Sequence, residues 1–120
     1  MLFRSQLLMD QAMSFFMFYF EKPQDLDLGF YLFNGSQPKG LTSELNTKLN
    51  TQLKNCLEPI EKTLVALGLS KKEANEQTTA IFAHAVGLLI LNNTGRIKLF
   101  KQNAKSLFKK YLENIIQTRL

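Results

Sequence analysis

The sequence predicts an all-α protein, a five-helix bundle whose central helix keeps one face for a second copy. Three observations carry this. Apolar residues recur at spacings of three and four over several long stretches. No alternating apolar–polar segment is bounded by hairpin turns. Residues 70–93, SKKEANEQTTAIFAHAVGLLILNN, are apolar around nearly the whole circumference of a helix, and His84 is the lone polar side chain from Ala80 to Leu91.

The first helix is expected over residues 2–21, with Leu7, Leu8, Ala12, Phe15, Phe16, Tyr19 and Phe20 and with Met9, Met13 and Met17 at intervals of four. Nearly every residue after Gln11 is apolar, so more than one side of this helix needs cover. Pro23 ends it, because the residue before a proline is pushed out of the helical region. A short second helix follows over 24–33, bearing Leu26, Phe30 and Phe33, and the loop NGSQPKG occupies 34–40.

A long helix over 42–67 carries Leu45, Leu49, Leu53, Leu57, Ile60, Leu64 and Leu67 along one stripe, with Thr, Asn, Gln and Lys elsewhere. Pro59 lies inside it and predicts a kink, since the ring removes an N–H and crowds the Asn55 carbonyl. Gly68 provides a left-handed cap, and Ser70 with Glu73 forms a capping box that starts the central helix. On that helix Ile81, Phe82, Ala85, Val86, Leu88 and Leu89 share a broad face, opposite Ala80, Ala83 and Gly87 with His84 at the rim. Both faces need burial, and a chain of this size can hardly surround a helix by itself. The segment NNTGR breaks the pattern at 92–96, and the last helix runs over 103–119 with Ala104, Leu107, Phe108, Tyr111, Leu112, Ile115 and Ile116 as its apolar stripe.

At 120 residues the chain has the size of one domain, and its 45% hydrophobic content excludes a disordered protein. Cys56 stands alone, so no intrachain disulfide forms and the cytoplasm is the expected location. Asp10 interrupts the N-terminal apolar run, which argues against a signal peptide. The net charge of +5 is concentrated after residue 95. Lys98, Lys101, Lys105 and Lys109 would share one face if the helix were continuous, either a solvated face or one that meets phosphates without reading bases.

One His and one Cys exclude sites that need two of either, so no metal or cofactor is expected. Cys56 and His84 neighbour no activating motif, Gly87 and Gly95 make no phosphate loop, and no enzyme is expected. The Met and aromatic stripe of the first helix suits either a cavity for varied apolar ligands or an ordinary Met-filled core.

The run AIFAHAVGLLILNNTGRIKLF, followed by SLFKKYLENII, resembles the penultimate helix, Gly-Arg turn and terminal helix of the TetR family of bacterial transcriptional regulators. The preceding LTSELNTKLNTQLKNCLEPIEKTLVALGLSKKEANEQ is similar to that family's long pocket-lining helix and its link to the dimer helix. The resemblance implies a single regulatory domain over 1–120 that senses a small hydrophobic effector and forms a homodimer, the last two helices of each subunit making a four-helix-bundle dimer interface. DNA would be contacted only through an N-terminal helix-turn-helix domain that these residues do not match, and no membrane is involved.

The expected dimer face combines Ala80, Ala83, His84, Gly87 and Leu91 with Phe108, Tyr111 and Ile115. The expected ligand site lies between Met9, Met13, Phe16, Met17 and Phe20 of the first helix and Leu49, Leu53, Cys56, Leu57 and Ile60 of the Pro59 helix. The alternative is a ligand-free interaction module, its interior filled by Phe and Met, that pairs with another TetR-like subunit.

Overall fold

A computed structural model describes residues 2–23 and 43–120, apart from the side chains of Leu2, Ser43, Leu45, Asn46 and Leu49. Among these residues there are four α-helices, α1 (Leu2–Glu21), α2 (Ser43–Ala66), α3 (Lys71–Asn93) and α4 (Ala104–Arg119), and a 3₁₀ helix (Arg96–Phe100) between α3 and α4. No strand occurs among them. The helix expected over 24–33 and the loop over 34–40 lie outside the described residues.

Local chemistry sets the helix ends. Ser70 is extended and its hydroxyl accepts from the Glu73 N–H at 3.1 Å, while the Ser70 N–H donates to the Glu73 carboxylate at 2.9 Å. That backbone bond holds the Glu73 carboxyl below its ordinary value. Ser70→Ala should cost about 1 kcal/mol of stability through the lost cap, read as a lower urea midpoint with an unchanged slope. An unchanged midpoint would mean that tertiary packing alone fixes the start of α3.

α2 continues through Pro59 as one helix and ends at Ala66, after which Gly68 takes a positive φ of 116° that other residues rarely adopt. The Arg4 guanidinium donates to the Ala66 carbonyl at 2.9 Å, a cation from α1 satisfying an acceptor at the C-terminus of α2.

α1 packs on α2, α3 and α4, α2 packs on α3, and α3 packs on α4 and the 3₁₀ helix. One core joins them: Leu8, Ala12 and Phe16 of α1, Ile60 and Leu64 of α2, Ile81, Ala85 and Leu89 of α3, and Phe108 and Leu112 of α4 are buried. At its centre Phe16 stacks on Phe108, with ring centroids 4.7 Å apart and planes inclined by 15°.

The condition for a single basic face from Lys98 to Lys109, one continuous helix, is not met. Gly95 (φ 77°) and Lys101 (φ 53°) are left-handed and bracket the 3₁₀ turn, and α4 starts afresh behind Asn103, whose side chain accepts from the Ser106 N–H. The left-handed Lys101 and the extended Asn103 break the 100° register between Lys98 and Lys105, so these lysines do not form one helical face. The buried Ile97 anchors the turn to the bundle.

Candidate ligand cleft and dimerisation face

α1 turns different flanks to its two main neighbours, and this decides which residues meet. At 100° per residue Phe16 and Phe20 lie on the same side as Met9 and Met13, and the Phe16–Phe108 stack shows that this side faces α4. Gln11 and Phe18 lie on the other flank, which faces α2: the Thr63 hydroxyl is 2.7 Å from Gln11 Oε1 and 3.0 Å from the Pro59 carbonyl. Between these surfaces is an open cleft of about 470 Å³, lined on α1 by Asp10, Gln11, Ser14, Phe15, Phe18 and Tyr19 and on α2 by Cys56 and Pro59.

The apolar stripe of α2 is divided in the same way. Cys56, Pro59 and Thr63 turn toward α1, whereas Leu53 and Leu57 turn toward α3, where Asn75 donates to Glu61 at 3.1 Å. Leu53, Leu57, Val65 and Phe82 floor a second groove of about 800 Å³ between α2 and α3. Lys54, Glu58, Glu61, Lys62 and Lys71 rim it, and the exposed Lys62–Glu58 pair at 3.3 Å is typical of a solvated surface.

The sequence-derived ligand set is therefore not one lining. Cys56 lines the α1–α2 cleft beside Pro59. Phe16 and Ile60 are corrected to core residues, since both are fully enclosed by neighbouring helices. Met9, Met13, Met17 and Phe20 are half-buried and pack against the core from the opposite flank of α1, Leu53 and Leu57 border the other groove, and the Leu49 side chain lies outside the described residues. Sequence reasoning missed Phe15, Phe18 and Tyr19 as lining residues. The polar residues Gln11 and Ser14, a turn apart from them, marked the flank that is not core.

The cleft aromatics form a continuous series. Phe18 and Tyr19 meet edge to face at 4.9 Å, Tyr19 and Phe15 at 5.3 Å, and Phe15 reaches Phe82 of α3 at 6.0 Å. Cys56 is exposed.

The second site is on α3. Ala74, Gln77, Thr78, Ile81, Ala85, Leu88 and Leu89 are buried inside the protomer, while Ala80, Ala83 and Gly87 face solvent. A Cβ placed on Gly87 would meet nothing within 4 Å. His84 and Leu91 are half-buried at the edge of this face. The His84 ring lies flat on Tyr111 of α4, with centroids 3.8 Å apart and planes within 5°, which joins the two helices into one surface. The half-buried Leu107 continues it along α4. Two expected interface residues are corrected: Phe108 and Ile115 are buried in the protomer's own core, because the stripe of α4 points at Phe16 and α3 rather than outward.

Burial holds the His84 imidazole below its ordinary pKa of 6.5, since desolvation penalises the cation. Burial also raises the Tyr111 phenol, opposed by a hydrogen bond with Gln77. A histidine with a depressed native pKa binds fewer protons folded than unfolded, so its contribution to stability is complete above pH 6.5 and is lost as pH falls through the native value. Urea midpoints should decline on acidification from pH 7.5 to below 6.5, and His84→Phe should flatten that decline before carboxylates begin to titrate. An equally steep decline in the variant would assign it to other groups.

Fold and sites together define an all-helical protein with an aromatic cleft and a solvent-facing stripe of small residues on its central helix. In comparison with known proteins, no protein-family model, no curated protein and no solved structure matches this chain. Among the described residues no helix is long and apolar enough to cross a membrane, and no group of three or more His, Cys, Asp or Glu could hold a metal ion.

Proposed function

We propose that this chain is the effector-sensing and dimerisation domain of a TetR-like transcriptional regulator. The observation that carries the proposal is the open small-residue face of α3. A helix that already buries one apolar side in its own protomer and still exposes Ala80, Ala83 and Gly87 invites close approach of a second helix. A twofold arrangement would pair α3 and α4 with their copies, a bundle that should bury on the order of 2,000 Å² if obligate. The α1–α2 cleft is the effector site in this reading, and the contacts of α1 with both α2 and α4 give binding there a route to the dimer face. DNA contact belongs to a helix-turn-helix unit outside these residues.

The pairing module without an effector draws support from the filled flank of α1, where Met9, Met13 and Met17 pack on the core. One experiment separates the two. Sedimentation velocity at micromolar concentration should show a dimer, and a panel of hydrophobic compounds should raise the melting temperature by mass action, equivalent to about 2.7 kcal/mol at a hundred times Kd. Cys56→Phe, which fills the cleft, should abolish that shift and leave the dimer intact. A dimer with no thermal shift from any compound would favour pairing alone, and a monomer would refute both.

A further inference from the structure

We propose that the 3₁₀ turn between α3 and α4 is a contact site for an anionic lipid bilayer, with Leu99 and Phe100 entering the interfacial layer and Arg96, Lys98, Lys101 and Lys105 meeting lipid phosphates. This does not rest on the dimer or on the effector cleft, and its failure leaves that reading standing.

The apolar pair is the first ground. Leu99 and Phe100 are 77% and 65% exposed and adjacent on a turn of five residues. A single exposed apolar residue is ordinary, whereas two large neighbours form a small patch that folding leaves in water. The turn itself is well anchored, since Ile97 is buried and the turn packs on α3. Its backbone is closed by the Lys98 N–H donating to the Gly95 carbonyl at 3.2 Å and the Lys101 N–H donating to the Lys98 carbonyl at 3.1 Å. A turn that pairs its own backbone groups enters an apolar layer without carrying unpaired donors and acceptors into it, and it is ordered in advance.

Charge is the second ground. No Asp or Glu occurs from Gln77 to Leu112, while Arg96, Lys98, Lys101 and Lys105 flank the apolar pair. All four are exposed, and among the described residues none of them is in an ion pair. An anionic leaflet attracts such cations, whose stems lie along its apolar edge while the charged ends stay with the phosphates.

The backbone of Lys101 is the third ground. At φ 53° and ψ 40° it occupies the left-handed region where glycine is the usual residue. A lysine there keeps a cation next to Phe100 at the expense of backbone strain, and such strain gathers at functional positions.

Size and chemistry select the partner. A stable protein interface takes about 800 Å² from each side, more than a five-residue turn supplies. Duplex DNA would meet the cations but would gain nothing from Leu99. A bilayer takes both kinds of side chain, and a surface contact needs no spanning helix, of which there is none among the described residues.

The chain has no tryptophan, so Phe100→Trp places a single reporter on the turn. Its emission should move to shorter wavelength with vesicles of phosphatidylcholine containing about 30% phosphatidylserine, and vesicles of phosphatidylcholine alone should bind at least about tenfold more weakly. In the same background Lys101→Gly should weaken binding about fivefold, the share of one cation at an anionic surface, with the melting temperature unchanged or raised because glycine suits the left-handed position. Leu99→Ser should weaken it about tenfold. Phe3→Trp, at an 80% exposed position of α1, is the control and should not respond. No response from Phe100→Trp, equal binding to neutral vesicles, an equal response from Phe3→Trp, or undiminished affinity in Lys101→Gly or Leu99→Ser overturns the proposal. A response to duplex DNA in place of vesicles overturns it in favour of nucleic acid.

Discussion

Phe16→Ala should bring the domain close to unfolding at ambient temperature. The side chain is fully buried where α1 meets α4, stacked on Phe108 at 4.7 Å and on Phe20 at 5.8 Å. Truncation of a buried phenylalanine costs about 3–5 kcal/mol, the lost transfer energy plus the cavity left behind. Domains of this size have a total stability of about 5–15 kcal/mol, so the loss removes a large share of the whole. Urea unfolding should show a midpoint lower by roughly 2 M at typical slopes for small domains. Phe18→Ala is the internal control, because that ring is 46% exposed and should cost less than about 1 kcal/mol. Similar costs for the two substitutions would mean that the Phe16–Phe108 stack does not hold α1 on α4.

Gly87→Leu should separate association from folding. In the isolated protomer nothing lies within 4 Å of a Cβ at this position, and a helical glycine replaced by leucine gains up to about 1 kcal/mol of helix propensity, so the subunit should fold at least as well as the wild type. Across a close helix–helix contact the same side chain overpacks by about 1–3 kcal/mol, and twofold symmetry applies it twice. The dimer should therefore weaken on the order of a hundredfold or more, seen as a monomer in sedimentation velocity at concentrations where the wild type is paired. The opposite pattern, a dimer retained with a less stable fold, would show that Gly87 packs within the protomer and that the pairing surface lies elsewhere.

Much of the architecture could be read before any coordinates. Patterns of three and four located α1, α2, α3 and α4 to within a residue or two, and the Ser70–Glu73 capping box is formed as its spacing implied. These features are local, set by side chains within one or two turns of each other. The 3₁₀ turn escaped notice because Arg96–Phe100 has no periodicity of its own; the left-handed Gly95 and Lys101 bracket it, and its one buried residue is Ile97. The exposed face of α3 was legible for the same reason as the helices: small residues on one side and large ones on the other are a property of a single helix.

Partner choice between helices belongs to a different level. Periodicity identified the apolar residues of α1 and α2 but not which flank of each faces which neighbour. Met9, Met13 and Phe20 are as hydrophobic as Phe15 and Phe18, and although Gln11 and Ser14 mark one flank as less apolar, nothing local tells which neighbouring helix each flank meets. Packing distinguished them: the Phe16–Phe108 stack and the Thr63–Gln11 hydrogen bond fix the rotation of α1, and that rotation puts the aromatics rather than the methionines beside Cys56 and Pro59. The same step took Phe108 and Ile115 into the protomer's own core and left Leu107 and Tyr111 beside the stripe on α3. By itself, then, the sequence determined that the protein is helical, where its helices lie and which one carries two different faces. Tertiary structure decided which side chains share a cleft, because the rotation of each helix about its axis is set by contacts between residues as far apart as Gln11 and Thr63 or Phe16 and Phe108.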